Sequence, residues 1–544
     1  MRRIQGEALL ALLLIAAASA VPVWAVPVAG RVFNDLNANG AWDAGEPGIP
    51  QVGVSNGETV VATDSEGRYT LMLDGEGIVF VIKPSHWQVV LDPVTKLPRH
   101  YYVHRPEGSV SLKYAGVAPT GPLPESVDFP LVPRDEHGPF TVLCFGDTQP
   151  RNQEEVDFIS HDVIEELAGT DVAFGMTLGD LVFDNLDMLP QVAQGVGTLG
   201  IPWYHVIGNH DINYDTPDYA REAETYARVF GPPYYSFNYG KVHFLALNDI
   251  YWEVENGRYH GEFGERQLRF IQEDLALVPR DHLIVPLMHI PLQDVVDREK
   301  FFALLKPFPN TFSLAAHWHR QSHFYLGAED GWPGEEPHHH LVQGTACGSW
   351  WGGRPDELGI PHATMSDGVP NGYAYVTFAG TEYSVRYKAA RRPATYQMNI
   401  DAPEVIAPQA AASTEVVANI FSGSSRSVTR MRVAGVSDWV PMTQFTGIDP
   451  YYAREKEREL ALARLIAAGE GNSALDDEAL KRTINAHAAI VGRSLPDPRE
   501  TDHLWKATLP GNLEPGYHVI EVETTDQFGQ RFVGSRILRV VSGP

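Results

Sequence analysis

Five apolar segments in the middle of the chain each end in carboxylate, amide or imidazole side chains. The segments end in F-G-D-T-Q (145–149), L-G-D-L-V-F-D (178–184), I-G-N-H-D (207–211), M-H-I (288–290) and A-H-W-H (316–319). Short apolar runs bounded in this way are typical of buried strands. In open α/β sheets, ligands bind beyond the carboxyl ends of the strands. The pattern therefore predicts a layered α/β domain whose polar residues meet in one cleft.

The segments between these motifs alternate between strand-like and helix-like patterns over about residues 136–390, as α/β layers do. The run 156–167 is amphipathic with helical spacing and lies between the apolar runs 142–145 and 172–178. The runs 283–288 and 312–316 repeat the strand pattern. An α/β class is therefore predicted for this region.

Convergence of the strand ends would bring seven oxygen and nitrogen donors together. They are Asp147, Gln149, Asp180, Asn209, His289, His317 and His319. This mixture suits divalent Mn, Fe, Zn or Co better than copper held by soft ligands or an iron–sulfur cluster. Each motif alone is weak, because an Asp at a strand end is typical of a helix cap. Five in order favour a metal site.

In order and spacing, the motifs resemble the calcineurin-like metallophosphoesterase family, whose pattern is D-x-H, G-D, G-N-H-D/E, a lone H and G-H-x-H. The resemblance covers roughly residues 140–390. It implies an α/β (α+β) fold, a four-layer α/β/β/α sandwich that holds two metal ions about 3.5–4 Å apart. It further implies a hydrolase acting on phosphoric ester bonds, in which a hydroxide bridging the two metals attacks the phosphate ester.

The resemblance also implies a role for each motif residue. The ligands implied for the first metal are Asp147, Gln149 and His319. Those implied for the second metal are Asn209, His289 and His317, with Asp180 bridging both ions. The catalytic residues implied are His210, which faces the scissile phosphate without binding metal, Asp211, which orients it, and Asn209, which offsets phosphoryl charge.

The chain departs from the family pattern at a few positions. Gln149 stands where most of the family has His, and an amide oxygen is a weaker ligand. Ala316 replaces the Gly of G-H-x-H. Phe183 stands where purple acid phosphatases have a Tyr that binds ferric iron, so we expect no iron–tyrosinate absorption band.

The charge balance limits the partners. There are 42 Lys and Arg against 69 Asp and Glu, a formal net charge of −27. This disfavours a surface that binds nucleic acid by neutralising phosphates. A phosphate-ester substrate remains compatible, because bound metal cations reverse the field locally.

Some residues near the motifs allow two interpretations. Cys347 could be a thiol nucleophile, since A-C-G-S-W-W (346–351) resembles part of a papain-type signature, but the second Cys of that signature is missing and a packed thiol is favoured. Trp318, Trp350 and Trp351 could form an apolar wall beside the metals or belong to the core. The run 338–340, three histidines, could be a metal tract but is more typical of a strand.

The N-terminus has the pattern of a secretory signal, with Arg2 and Arg3, an apolar stretch from Ala8 to Ala20 and small residues thereafter. Cleavage is expected after Ala25, with Ala20 as the second choice; an uncleaved membrane anchor is the alternative. We therefore expect an exported protein, periplasmic or extracellular, without a membrane span after cleavage.

The predicted domains are a signal peptide (1–25), an N-terminal β domain (26–135), the catalytic domain (136–390) and a C-terminal β-sandwich (391–544). Alternating apolar runs separated by Gly, Asp and Asn predict the β domains. The segment of about 451–490 is rich in Ala, Leu, Glu and Arg, which predicts a helical insertion.

Residues 35–46 match the spacing of an EF-hand calcium loop. The ligands would be Asp35, Asn37, Asn39, the Ala41 carbonyl, Asp43 and Glu46, with Gly40 at the turn. The flanking sequence is not helical, so the loop resembles the calcium-binding repeats of bacterial surface adhesins. A structural calcium ion is predicted; an acidic turn without an ion is the alternative.

Two functions therefore stand side by side. The first is a metal-dependent phosphoesterase, cleaving either diesters or monoesters. The second is a catalytically weak or inactive surface or carbohydrate-binding protein built on the same fold, which the β domains favour and the retained His210 disfavours.

Overall fold

The computed structural model describes residues 25–472 and 475–542. The predicted signal peptide therefore lies outside the described residues except for Ala25, and its cleavage and the export of the protein stay predictions. Within the described ranges, no helix combines the length and the apolar character needed to cross a membrane.

Residues 26–135, all of them described, form two four-stranded sheets. The strands are β1 (Val26–Asn34), β2 (Gly53–Ser55), β3 (Val60–Ala62), β4 (Arg68–Leu73), β5 (Gly77–Val81), β6 (Trp87–Val89), β7 (Tyr101–His104) and β8 (Phe129–Pro133). The strand orders are β4-β1-β8-β6 and β3-β2-β5-β7. Every second residue of β4 is buried, because successive side chains point to opposite faces. The buried faces of the two sheets share one apolar core and form a β-sandwich.

Residues 136–390, all described, carry strands and helices in alternation. The strands are β9 (Phe140–Phe145), β10 (Phe174–Leu178), β11 (Trp203–Val206), β12 (Tyr235–Tyr239), β13 (Val242–Ala246), β14 (Ile250–Glu253), β15 (Arg258–Gly261), β16 (Leu283–Leu287), β17 (Asn310–Ala315), β18 (Ser322–Leu326), β19 (His338–Val342), β20 (Gly372–Ala379) and β21 (Glu382–Ala389). The α-helices are α1 (Gln153–Ile159), α2 (Leu189–Gly197), α3 (Glu224–Phe230), α4 (Gly264–Leu277) and α5 (Arg298–Leu305). One large sheet has the order β11-β10-β9-β20-β21, a second has the order β12-β13-β16-β17-β19-β18, and β14 and β15 form a two-stranded sheet.

The burial of β9 shows how the layers stack. Val142 and Cys144 belong to the apolar core that includes residues of both sheets, whereas Leu143 and Phe145 pack with residues of α1 and α2. The strands β13 and β16 are buried on both faces, and apolar residues of α4 and α5 join the same core. The sheets thus lie between two helical layers, which confirms the predicted four-layer α/β/β/α class with flanking β domains.

The described part of residues 391–542 forms two further sheets with a common core. The strands are β22 (Met398–Asp401), β23 (Val405–Ile406), β24 (Glu415–Ile420), β25 (Val428–Val433), β26 (Val440–Pro441), β27 (Thr443–Ile448), β28 (Glu500–Thr508), β29 (Gly516–Thr525) and β30 (Arg531–Val540). The helices α6 (Pro450–Gly469), α7 (Asp477–Ala486) and α8 (Ala488–Val491) lie between β27 and β28. The carboxylate of Asp449 accepts the N–H of Tyr452 and caps α6, with Pro450 in its first turn.

Buried polar contacts join the flanking regions to the central one. The ammonium of Lys83 lies 2.7 Å from Glu136 and donates to the carbonyl of Asn238 at 2.7 Å. On the other side, the Asn419 amide donates to the carbonyl of Asp367 at 2.8 Å. Unpaired, such groups would cost about 1–3 kcal/mol each, so these contacts fix how the regions pack together.

Candidate metal centre

The structure places all seven predicted donors just beyond the ends of strands. Asp147 and Gln149 follow β9, Asp180 follows β10, Asn209 follows β11, His289 follows β16, and His317 and His319 follow β17. The strands β9, β10 and β11 are mutually parallel, as are β16 and β17. Their carboxyl ends therefore meet at one edge of the sandwich.

One group of side chains surrounds Asp147. The Nε2 atom of His319 lies 3.1 Å from Oδ2 of Asp147, and the backbone N–H of His317 donates to Oδ1 at 3.1 Å. The Gln149 amide lies 2.6 Å from Oδ2 of Asp180. Asp180 thus contacts this group and also the second one.

The second group surrounds His289. Its Nε2 atom lies 3.2 Å from Oδ2 of Asp180, 3.1 Å from Oδ1 of Asn209 and 3.1 Å from Nδ1 of His317. Ligand atoms of Asp180, His289 and His317 all lie within 4.8 Å of one another. The structure therefore brings together all seven donors that the motifs predicted.

The backbone is strained where the donors lie. Five non-glycine residues of the site have φ values between 38° and 65°, in the left-handed region: Gln149, Asp180, Asp184, His317 and His319. Such conformations cost of order 1–3 kcal/mol each and cluster at functional sites. Gly179 at φ 86° could not be replaced without conflict, because an added Cβ would lie 2.5 Å from the His289 ring.

The hydrogen bonds of the histidines fit a metal site. Nδ1 of His289 lies 2.8 Å from the carbonyl of Leu178, and Nδ1 of His319 lies 2.6 Å from that of Gly348. A ring that donates from Nδ1 is left with a lone pair on Nε2. Once Nε2 carries no proton, both lone pairs would face side-chain oxygens, an arrangement that a cation between them would stabilise. Metal-binding histidines commonly donate their other N–H to a carbonyl in this way.

Burial and mutual charge control the protonation of the site. Burial opposes the charged form of His289, but the carboxylates of Asp180 and Asp147 outweigh it and raise the pKa of His289 to about 10. Burial also opposes ionisation of Asp180, but the positive charges of His289 and His210 lower its pKa. For His317, burial and the charge of His289 lower the pKa to about 4. The donors therefore carry a proton on His289 before a metal binds.

We expect metal affinity to rise with pH for this reason. A metal ligand must be a neutral imidazole, so binding displaces the His289 proton and the affinity increases up to tenfold per pH unit below about pH 10. Isothermal titration of Mn²⁺ at pH 7, in two buffers of different ionisation enthalpy, should show release of about one proton or more. Binding without proton release would contradict this protonation state.

His210 faces the site beside the predicted ligands. Its backbone N–H donates to Oδ1 of Asp180 at 2.9 Å, and its ring stacks on Phe183 with centroids 4.3 Å apart. Nδ1 of the ring lies 2.6 Å from Oδ1 of Asp184. Burial lowers the pKa of His210, but the charge of Asp180 and the hydrogen bond to Asp184 outweigh it, so the pKa is raised. The ring therefore keeps its proton to a higher pH than a free histidine does.

The orienting role predicted for Asp211 corresponds instead to Asp184. The Asp211 carboxylate turns inward and accepts the backbone N–H groups of Leu181, Val182 and Gly208 at 2.9–3.1 Å. It therefore holds the loop that carries Asp180, rather than the His210 ring. Asp184 is the last residue of the L-G-D-L-V-F-D motif, so the sequence contained it without indicating its role.

The structure decides between the two interpretations of the residues near the motifs. Cys347 is fully buried, 3.6 Å from the Gln149 carbonyl oxygen, and burial raises its thiol pKa, so it is a packed thiol. Trp351 lies in the core, whereas Trp350 stacks on His319 with centroids 3.9 Å apart. The histidine run 338–340 lies in strand β19 within the sheet.

The fold and the site define a metal-dependent phosphoesterase, and comparisons of the sequence point the same way. Residues 36–114 match the family model described as the N terminal of calcineurin-like phosphoesterase, and residues 340–475 and 470–532 match its C terminal. These ranges flank the segment that carries the ligand motifs. The chain belongs to the calcineurin-like phosphoesterases and is a hydrolase acting on phosphoric esters.

Two solved structures are similar to this chain at low sequence identity. A purple acid phosphatase, PPD1, from yellow lupin (Lupinus luteus) seeds is 13% identical, with 67% of each chain covered and a TM-score of 0.34. A structure of PhoD is 10% identical over 68% of this chain and 81% of the other, also with a TM-score of 0.34. A comparison with curated proteins gave no match.

Proposed function

We propose that the chain is a dinuclear metal-dependent phosphoesterase. Asp147, Gln149 and His319 would hold the first ion, and Asn209, His289 and His317 the second, with Asp180 between them. The observation that supports this most is the position of Asp180, whose Oδ2 atom lies 2.6 Å from the Gln149 amide and 3.2 Å from His289. One carboxylate oxygen thus contacts a donor of each group. The donor chemistry suits Mn, Fe, Zn or Co.

The protein residues would act in distinct ways. Two bound divalent ions would supply Lewis acidity, which polarises the phosphoryl group and lowers the pKa of water. Asn209 places its side chain beside His289, where it would help to offset charge on the phosphoryl oxygens. His210, held by Asp184, would protonate the leaving oxygen or stabilise its charge. Asp211 keeps the Asp180 loop in place.

The experiment for this function is hydrolysis of bis-p-nitrophenyl phosphate beside p-nitrophenyl phosphate with and without Mn²⁺. We expect Mn²⁺-dependent release of nitrophenol from at least one of them, and the ratio of the two kcat/KM values separates a diesterase from a monoesterase. If neither ester is cleaved while two metal equivalents are bound, the rival function, an inactive surface or carbohydrate-binding protein, is favoured instead.

The N-terminal loop 35–46 supports a further ion with a structural role. Asp35 and Glu46 are buried carboxylates, and the side-chain amides of Asn37 and Asn39 both donate to Oδ2 of Asp43 at 2.8 Å. All five predicted side-chain ligands therefore belong to one short loop. Calcium coordinates six to eight oxygens, which carboxylates, amide oxygens and a backbone carbonyl of this loop would provide. We propose calcium at this position.

Calcium should stabilise the protein through this loop. An ion that binds only the folded state at about 100 times its Kd contributes about 2.7 kcal/mol. We expect 1 mM Ca²⁺ to raise the melting temperature of the full chain preloaded with Mn²⁺, and Asp35→Asn to abolish that rise. Asp74→Asn, at an exposed carboxylate outside the loop, is the matched control and should respond like wild type. An unchanged melting temperature of the wild type would exclude the calcium loop.

A further inference from the structure

A pocket of about 490 Å³ opens beside His210, within the size range typical of small-molecule sites. The catalytic region supplies one wall, including Arg151, Phe183 and His210. The helical insertion of the C-terminal region supplies the other, from α7 and from the segment after α8. A substrate bound at the metal centre would therefore extend toward the insertion.

The far wall of this pocket is basic. Its lining includes Lys481, Arg482 and Arg493, and Arg151 lies on the near side. The lining contains one carboxylate, that of Glu478. This is a local reversal in a chain whose formal net charge is −27. Clefts lined by one sign of charge concentrate ligands of the opposite sign.

Two of the four cations are held by carboxylates. Lys481 lies 2.8 Å from Glu478 and 2.9 Å from Asp497. Arg151 lies 3.2 Å from Glu155, a side chain with only 4% of its surface exposed. Their charges are therefore largely compensated within the protein.

The other two cations are less compensated within the protein. Arg493 shares the same Glu155 carboxylate at the longer distance of 3.7 Å. Arg482 is exposed on α7 and has no ion-pair partner among the residues that the structure describes. Arginine presents a planar fork of donors that matches phosphate and carboxylate groups.

The insertion is built to hold these residues in place. The apolar side of α7 buries Leu480 and Ile484 against Ala463 of α6. The carboxylate of Asp476 caps α7 by accepting the N–H of Ala479 at 2.8 Å. Because Leu480 and Ile484 face α6, Arg482 is left to point at the pocket it lines.

We propose that Arg482 and Arg493 bind a second anionic group of the substrate, so that the preferred substrate is a phosphate ester carrying a further phosphate or carboxylate. This rests on the proposed function, because it places the scissile phosphate at the metals beside His210. Arg482 and Arg493 are then specificity-determining residues contributed by the helical insertion.

The test compares the affinities of three non-hydrolysable probes for the Mn²⁺-loaded full chain by isothermal titration. They are phenylphosphonate, 4-phosphonobenzoate and 1,4-phenylenebisphosphonate, which share the first anion and differ at the second. We expect the bisphosphonate to bind about tenfold more tightly than phenylphosphonate, since hydrogen bonds to charged groups contribute that much. An equal gain for the benzoate would show that the site accepts either anion, and a gain for the bisphosphonate alone that it selects phosphate.

The double variant Arg482→Gln/Arg493→Gln should bring the ratio of the dissociation constants of phenylphosphonate and the bisphosphonate close to one. The double variant Arg482→Lys/Arg493→Lys should keep part of the gain in affinity for the bisphosphonate. Arg228→Gln, an exposed arginine on α3, is the control and should keep the wild-type ratio. If phenylphosphonate binds but the second anion adds nothing, the inference is wrong and the phosphoesterase assignment stands. If phenylphosphonate does not bind at all, the proposed function fails with it.

Discussion

His210→Ala should retain both metal ions and lose most of its turnover. The ring contacts Asp184 and Phe183, and only its backbone N–H contacts Asp180, so truncation leaves the seven donors in place. A positioned acid typically contributes about 10²- to 10⁴-fold to the rate. We therefore expect kcat to fall by that factor, measured on the nitrophenyl ester that the wild type cleaves, with metal content determined by elemental analysis.

His161→Ala is the matched control, because that side chain is exposed on the helical layer and, within the part of the chain that the structure describes, pairs only with Glu165. Its kcat should equal that of the wild type. A His210 variant with full metal content and full activity would remove the ring from the mechanism. The kcat of Asp184→Asn should lie between those of His210→Ala and the wild type. Its pH profile should shift to lower pH, since the hydrogen bond that helps to raise the pKa of His210 is weakened.

Asp180→Asn should release metal from both positions and reduce turnover to that of the metal-free protein. Asn preserves the shape of the side chain and tolerates the left-handed backbone at φ 49°, so the substitution removes charge more than structure. The lost negative charge is the one that contacts Gln149 in the first group and His289 in the second. We expect less than half of the wild-type metal content after dialysis.

Asp187→Asn, at an exposed aspartate of the following turn, is the control and should keep its metal and activity. Loss of only one metal equivalent in Asp180→Asn would place Asp180 in a single site rather than between two. In the metal-free protein, the same substitution should lower the pKa of His289, because it removes one of the charges that hold the proton there.

The sequence by itself was enough to predict the candidate metal-ligating side chains and the α/β layers that carry them. A ligand type is a property of the side chain, and an apolar run that stops at a polar group is visible without any partner. The strands that precede Asp147, Asp180 and His289 were therefore predictable. The carboxyl ends of parallel strands lie at the same edge of a sheet, and this rule predicted that the donors would lie close together.

Only the tertiary structure decided which neighbour each polar group uses. Asp184 and Asp211 are each the last residue of a motif, but the Asp211 carboxylate accepts three backbone N–H groups while Asp184 pairs with His210. The basic wall was also hidden, because Arg482 and Arg493 lie far along the chain from His210 and in the region predicted as a different domain. Such contacts depend on how separate domains pack, and no local pattern records that packing.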